Sequence, residues 1–209
     1  MNLLLFPFLV LALILPREVM AYEQPSYEVR RSESAFEVRS YAPYWVVETE
    51  VQGDFESARN AAFRRLFAYI SGNNRSQQKI EMTAPVVTQS TGEKIEMTVP
   101  VITRRTESGA GQIMQFVLPS KYTERSAPQP VDPQLQLRHL DTQWVAARVY
   151  SGRSNEENYR RNEAELLREL QAAGLVAAGA PRFAVYNGPF TPWFMRRNEV
   201  IVPIEAPQP

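Results

Sequence analysis

Apolar and polar residues change their period along this chain at recognisable points, and the changes mark its elements. Tyr27-Glu28-Val29-Arg30, Phe36-Glu37-Val38-Arg39 and the run from Tyr44 to Val51 alternate apolar with polar or pack β-branched and aromatic residues. That is the signature of half-buried strands. Gly53-Asp54 stops the third run, and Asp54 is a residue type that caps helices by accepting from backbone N–H groups. Phe55, Ala58, Ala62, Leu66, Tyr69 and Ile70 then recur at spacings of three and four, which predicts a helix with these side chains on its core face. Ser71-Gly72-Asn73-Asn74 ends it.

The next stretch is written twice. Lys79-Ile80-Glu81-Met82-Thr83-Ala84-Pro85-Val86 returns as Lys94-Ile95-Glu96-Met97-Thr98-Val99-Pro100-Val101. Period two puts Ile80, Met82, Ala84 and Val86, and then Ile95, Met97, Val99 and Val101, on one face, with Glu81 and Glu96 facing solvent. The polar link Gln89 to Glu93 contains Gly92, so an antiparallel pair is expected. Proline donates nothing to a ladder, which assigns Pro85 and Pro100 to edges, bulges or strand ends. A loop around Gly109 to Gly111 leads to a strand from Ile113 to Leu118, and the proline-rich Ala127 to Pro133 reads as a joint between two halves.

The second half repeats the order of the first. Leu135 to Arg138 and Trp144 to Tyr150 read as strands, and Ser154-Asn155-Glu156-Glu157 as a capping box. Tyr159, Leu166, Leu167, Leu170 and Ala173 form a helical stripe closed by Gly174, and Phe183 to Tyr186 and Glu199 to Ile204 are the last strands. Each half is β–β–α–β–β, an α+β pattern repeated in order rather than in residues.

Composition narrows the function. Of 209 residues, 44% are hydrophobic and 22% charged, with 23 Lys+Arg against 23 Asp+Glu, so no electrostatic surplus points to nucleic acid. The absence of cysteine excludes disulfides, thiolate ligands, a cysteine nucleophile and covalent c-type heme attachment. Leu3 to Leu15 is almost wholly apolar, shorter than the roughly 20 residues of a membrane span. It has the length of a signal-peptide core, and Val19-Met20-Ala21 offers a cleavage site before Tyr22. The expectation is a signal peptide at 1–21, one folded domain at 22–209 without a membrane span, and a periplasmic, lumenal or secreted location. No Lys or Arg precedes the apolar run, so an uncleaved N-terminal anchor is the alternative.

Candidate chemistry lies outside the core stripes. On the first helix Phe63 and Phe67 sit one turn apart on a flank of the stripe, with Asn60 at its border and Arg64 just beyond. Such a pair either extends the core or forms a shelf for a flat amphipathic ligand whose carboxylates meet the cation. Pro189 to Pro192 stiffens a loop carrying Phe190, Trp193 and Phe194 ahead of Arg196-Arg197. Those arginines either meet a ligand's carboxylates or tie the last strand to neighbouring carboxylates such as Glu81 or Glu96. His139, the single histidine, falls at a strand end far from the shelf. A Ser–His–Asp site would have to use it, no nucleophile elbow or phosphate loop is present, and a non-enzymatic role is expected.

The doubled Lys-Ile-Glu-Met-Thr-x-Pro-Val element resembles the SOUL family of heme-binding proteins. So do Met114-Gln115-Phe116-Val117-Leu118-Pro119, followed by Lys121-Tyr122, and the run from Tyr186 to Val200. The three motifs stand in the family's order, and the resemblance covers the chain from about Ser26 to Glu205. The resemblance implies a pseudo-twofold distorted β-barrel with two helices and a heme or related tetrapyrrole laid along the first helix. It directs attention to Asn60, Phe63, Arg64, Phe67, Phe190, Trp193, Arg196 and Arg197. With no cysteine and with His139 far in sequence from the shelf, the heme is expected to be held non-covalently by packing and ion pairing, or by Tyr or Met as a weak ligand, rather than by histidine. Some relatives hold a ligand carboxylate with a lysine in the last loop, where this chain has Thr191. The same architecture also looks like effector-binding domains of bacterial regulators, so a protein-interaction or small-ligand module is the alternative.

Overall fold

The computed structural model describes residues 22–77 and 92–206. The first half contributes β1 (Tyr27–Ser32), β2 (Glu37–Tyr41), β3 (Tyr44–Gln52), α1 (Phe55–Ile70), the short β4 (Asn74–Arg75), β5 (Val101–Arg105) and β6 (Gly111–Val117). The connector carries β7 (Gln129–Pro130), which pairs with β4. The second half adds β8 (Leu135–Leu140), β9 (Gln143–Tyr150), α2 (Glu156–Ala172), β10 (Arg182–Val185), a 3₁₀ turn (Trp193–Met195) and β11 (Asn198–Pro203).

Among the described residues nine strands form one curled antiparallel sheet in the order β1-β2-β9-β11-β10-β5-β6-β3-β8. Leaving β1 aside, the order is symmetric about the β10–β5 pair. Strand β5 corresponds to β10, β6 to β11, β3 to β9 and β2 to β8. The first strand of each half crosses over to complete the other: β2 lies on β9 and β8 on β3. Helix α1 covers β3 and β6, and α2 covers β9 and β11. This curled sheet with two helices is consistent with the α+β, pseudo-twofold distorted β-barrel that the SOUL resemblance implies and the repeated element order agrees with.

Burial follows the pleat. Val47, Met114 and Phe116 face α1, while Val38, Phe183, Val200 and Val202 face α2. Val46, Ile102, Val117, Val145, Ala184 and Ile201 fill the inside of the curl from both halves. All six residues of the first predicted helical stripe are buried, and Asp54 caps α1 by accepting from Glu56 and Ser57 N–H. Gly72, at φ +113, turns the chain out of α1 while its N–H reaches Tyr69 O. Asn74 then bonds Tyr69 O and both backbone groups of Glu93, fixing where the chain re-enters the described structure.

Three expectations are corrected. The second copy of the doubled element is extended but outside the ladder until Val101. Its backbone is held from the side instead, by Ile95 N–H on Ile70 O and Val99 N–H on Glu23 O. Ile95 is buried and Glu96 exposed as the alternation requires, but Thr98 turns inward to donate to Val117 O. The first copy, Lys79 to Val86, lies outside the described residues, and so does residue segment 1–21. In the second helix Asn155, not Ser154, is the N-cap, because Ser154 is drawn to Asn198 on β11. Leu167 is exposed, and Asn158 and Asn162 take the buried places beside Tyr159, Leu166 and Leu170.

Candidate ligand-binding site

Helix geometry builds the first part of the site. At about 100° per residue, Glu56, Asn60, Phe63 and Phe67 fall on one line down α1, roughly a quarter to a third of a turn from the buried stripe. Phe63 and Phe67 are stacked with ring centroids 5.9 Å apart and 13° between planes. Phe63 also meets Phe116 of β6 edge-on at 5.4 Å, which anchors the pair to the sheet. Even so, 36% of Phe63 and 48% of Phe67 remain exposed. Asn60 and Arg64 border the rings in a shallow surface depression with Ser57. Arg64 is exposed and, among the described residues, makes no ion pair. The shelf is therefore a surface of parallel aromatic rings beside an uncompensated cation.

The last loop closes the N-terminal end of this line. Phe190, Trp193 and Arg196 line a concavity together with Glu56 and Arg59 of α1 and Arg153 to Asn155 before α2. Arg196 holds the loop in shape, donating from Nε to Thr191 O and from a terminal nitrogen to Pro189 O, both at 2.8 Å. Its partners are neutral carbonyls, so its charge stays available. Arg59 was not singled out in the sequence, although it precedes Phe63 by one helical turn. It donates to Ser154 O at 2.7 Å and pairs with Glu56, linking α1 to the loop region. The spacing from Arg59 to Phe63 is the signal that finds it.

Arg197 goes elsewhere. Its guanidinium contacts Glu199 at 2.6 Å and lies over the Tyr186 ring at 4.2 Å, inside the curl of the sheet. Glu199 is fully buried and also takes Arg39 at 2.9 Å and Tyr186 Oη at 2.8 Å. Glu37 in turn pairs with Arg39 at 2.8 Å, so two carboxylates and two guanidiniums balance. Burial pulls Arg39 down, but the hydrogen bond and charge of Glu199 outweigh it and hold the group above the ordinary arginine value. Burial followed by the Glu199 charge pushes Tyr186 up, and the same causes push Tyr41 up to about 12. These groups form one paired network, buried at Arg39 and Glu199 and reaching water at Glu37 and Arg197. Of the eight residues marked in the sequence, the structure groups Asn60, Phe63, Arg64 and Phe67 on α1, sets Phe190, Trp193 and Arg196 at its end, and withdraws Arg197. His139 stands on the edge strand β8, beside Trp45 at 5.2 Å between centroids and Asp141 at 3.2 Å.

A sequence profile described as SOUL heme-binding protein matches residues 22–93 and 88–203, nearly the whole described chain. The chain belongs to the SOUL family. Over 55 residues this SOUL protein is 42% identical to Heme-binding protein 2 of Homo sapiens, a match to 26% of this chain and 27% of that protein. It thus spans about a quarter of the human relative. Heme-binding protein 1 of Xenopus tropicalis is 28% identical over 168 residues, 79% of this chain and 82% of that protein. The fold is also that of the C-terminal domain of EcmrR, with a TM-score of 0.57 over 86% of this chain and 98% of that one at 10% identity. At that identity the likeness is one of architecture alone.

A flat porphyrin with two carboxylates asks for apolar contact on its faces and cations at its edge. The SOUL protein's α1 flank and last loop offer both: two parallel rings, two further exposed aromatics, and the guanidiniums of Arg64 and Arg196, which have no carboxylate partner among the described residues. The donor set fits the group. Among the described residues no group of three or more His, Cys, Asp or Glu side chains is placed to hold a metal ion.

Proposed function

We propose that this SOUL protein binds heme or a closely related tetrapyrrole non-covalently along α1. The observation that carries the reading is the stacked, solvent-facing pair Phe63 and Phe67 beside Arg64, which makes no ion pair among the described residues. A porphyrin face packs on the two rings, Arg64 and Arg196 meet its carboxylates, and Asn60, Phe190 and Trp193 bound the site. A bound heme would supply an iron centre and strong visible absorption; the chain's own contribution is stacking, charge and exclusion of water from one face. The role is binding rather than catalysis, in keeping with a heme-binding family.

The direct test is a hemin titration followed by Soret absorbance, with protoporphyrin and a bile pigment as comparisons. His139→Ala belongs in the same experiment. His139 is held by Trp45 and Asp141 on an edge strand, so its loss should leave hemin affinity and the Soret position unchanged within error. A shifted Soret band in that variant would make His139 an iron ligand and overturn this placement.

We further propose that the protein works after export, in the envelope, as a carrier, buffer or sensor of the ligand. The apolar run from Leu3 to Leu15 and the Val19-Met20-Ala21 site support it. Mass spectrometry of envelope fractions should find a chain starting at Tyr22. Recovery of the intact N-terminus on a soluble cytoplasmic species would end this part of the proposal.

A further inference from the structure

The loop that ends the heme site carries more apolar surface than the site uses. Phe190 is 98% exposed, Trp193 55%, Phe194 61% and Met195 65%, all within six consecutive residues. Trp193 and Phe194 meet edge-to-face at 5.6 Å, so their rings make one patch. A water-facing loop gains nothing from four such side chains, and a patch of this kind marks a surface that something covers.

Two features say what. The first is the backbone of the tip. Pro189 and Pro192 have no N–H, Thr191 N–H bonds Gly188 O, Met195 N–H bonds Pro192 O, and Arg196 N–H bonds Trp193 O. Trp193 O also accepts from Gly152, and Arg196 closes the carbonyls of Thr191 and Pro189. Tying up these polar backbone groups within the segment and its base lowers the cost of bringing the loop against an apolar medium, where nothing can bond them. The second is charge. The concavities at the base of the loop are lined by Arg59, Arg153, Arg161 and Arg196 against Glu56 and Glu157. An apolar tip with Trp at its shoulder and a cationic collar matches the interface of an anionic bilayer, where indole rings settle at headgroup depth and guanidiniums meet phosphates.

We propose that this tip docks the protein on anionic lipid surfaces, with Phe190, Phe194 and Met195 in the acyl boundary and the arginine collar on the headgroups. The inference rests on the heme reading for its purpose. A ligand as apolar as a porphyrin dissolves in bilayers, and docking by this loop holds the α1 shelf beside that reservoir. The docking itself does not require heme.

The chain contains no cysteine, so a single one can be placed and labelled at will. In the full-length chain, Phe190→Cys carrying an environment-sensitive fluorophore should brighten and shift to the blue with vesicles of equal parts phosphatidylcholine and phosphatidylglycerol. It should respond far less to phosphatidylcholine alone, and salt should weaken the response. The same label at Val131→Cys, exposed on the connector, should stay in water. Adding Phe194→Ser and Met195→Ser to the Phe190→Cys chain should weaken the vesicle response at least about tenfold, the value of burying one such apolar side chain. The apolar run at 3–15 is common to all these chains, so vesicle association without a signal at 190 would assign binding to that run and overturn the proposal. Equal response to neutral vesicles would overturn it as well. A label that answers to hemin but not to vesicles would make the tip a wall of the heme site and nothing more. Hemin titrations of the Phe194→Ser, Met195→Ser chain keep the two readings apart: affinity should match the parent. A failed vesicle response with intact hemin binding sinks the docking alone. A vesicle response without hemin binding sinks the heme reading alone.

Discussion

Replacing Glu199 with alanine should destabilise the fold by about 3–5 kcal/mol. Glu199 sits inside the curl with two guanidiniums on its carboxylate, and the Arg39 side chain beside it is as buried as the glutamate itself. Removing the carboxylate leaves Arg39 with the half-exposed Glu37 as its one carboxylate partner among the described residues, and leaves Tyr186 Oη without its acceptor. Arg197 suffers less, since its side chain reaches water. Urea unfolding should show a lower midpoint at an unchanged slope. The double replacement Arg39→Met with Glu199→Met should recover most of the loss, because an apolar pair of similar volume needs no counter-charge. A single Glu199→Ala variant within about 1 kcal/mol of the parent would mean that water reaches Arg39, and the Arg39–Glu199 pair would not be the buried unit described above.

The second large effect is on ligand binding. Phe63→Ala with Phe67→Ala should weaken hemin on the order of a hundredfold, since each stacked ring is worth about 1–2 kcal/mol of affinity. The ligand-free protein should melt only a few degrees lower. Most of that small change should come from Phe63, whose edge rests on Phe116, rather than from Phe67. Leu66→Ala, on the fully buried side of the same helix, should do the reverse. It should remove about 2–5 kcal/mol of stability and spare affinity as long as the chain is folded. A double Phe variant that binds hemin as the parent does would show that the shelf is not the site.

How far the sequence revealed these features depended on whether a local rule decided them. The stripe of α1 was legible to the residue, because helical period, the Asp54 cap and the Gly72 exit are all local signals. The flank carrying Phe63 and Phe67 followed from the same period. The doubled element misled for the opposite reason. Alternation sets which side chains are buried, but the ladder that would make a strand belongs to the neighbours, and here Ile70 and Glu23 take its N–H groups. Arg196 and Arg197 show the same limit. Neighbours in sequence, they part because β11 begins at Asn198 and its pleat turns Glu199 inward, and nothing within the pair itself marks that boundary. Family resemblance supplied the ligand class; the residues by themselves left core and shelf both open.

The exchange of first strands between the halves bears on how the chain reaches its native state. Strand β2 finds its place only when β9 exists, with Glu37 facing Ala147, and β3 is covered on its outer side only by β8. A ribosome that has delivered the first half has delivered neither a complete sheet nor a closed core, so this half cannot finish folding ahead of the second. The closure entropy of these long excursions falls due late and together. Assembly should accordingly be slow and all-or-none for a protein of this size. A nick in the connector would leave two fragments that each hold a strand belonging to the other, a pair fitted to rejoin without a covalent link.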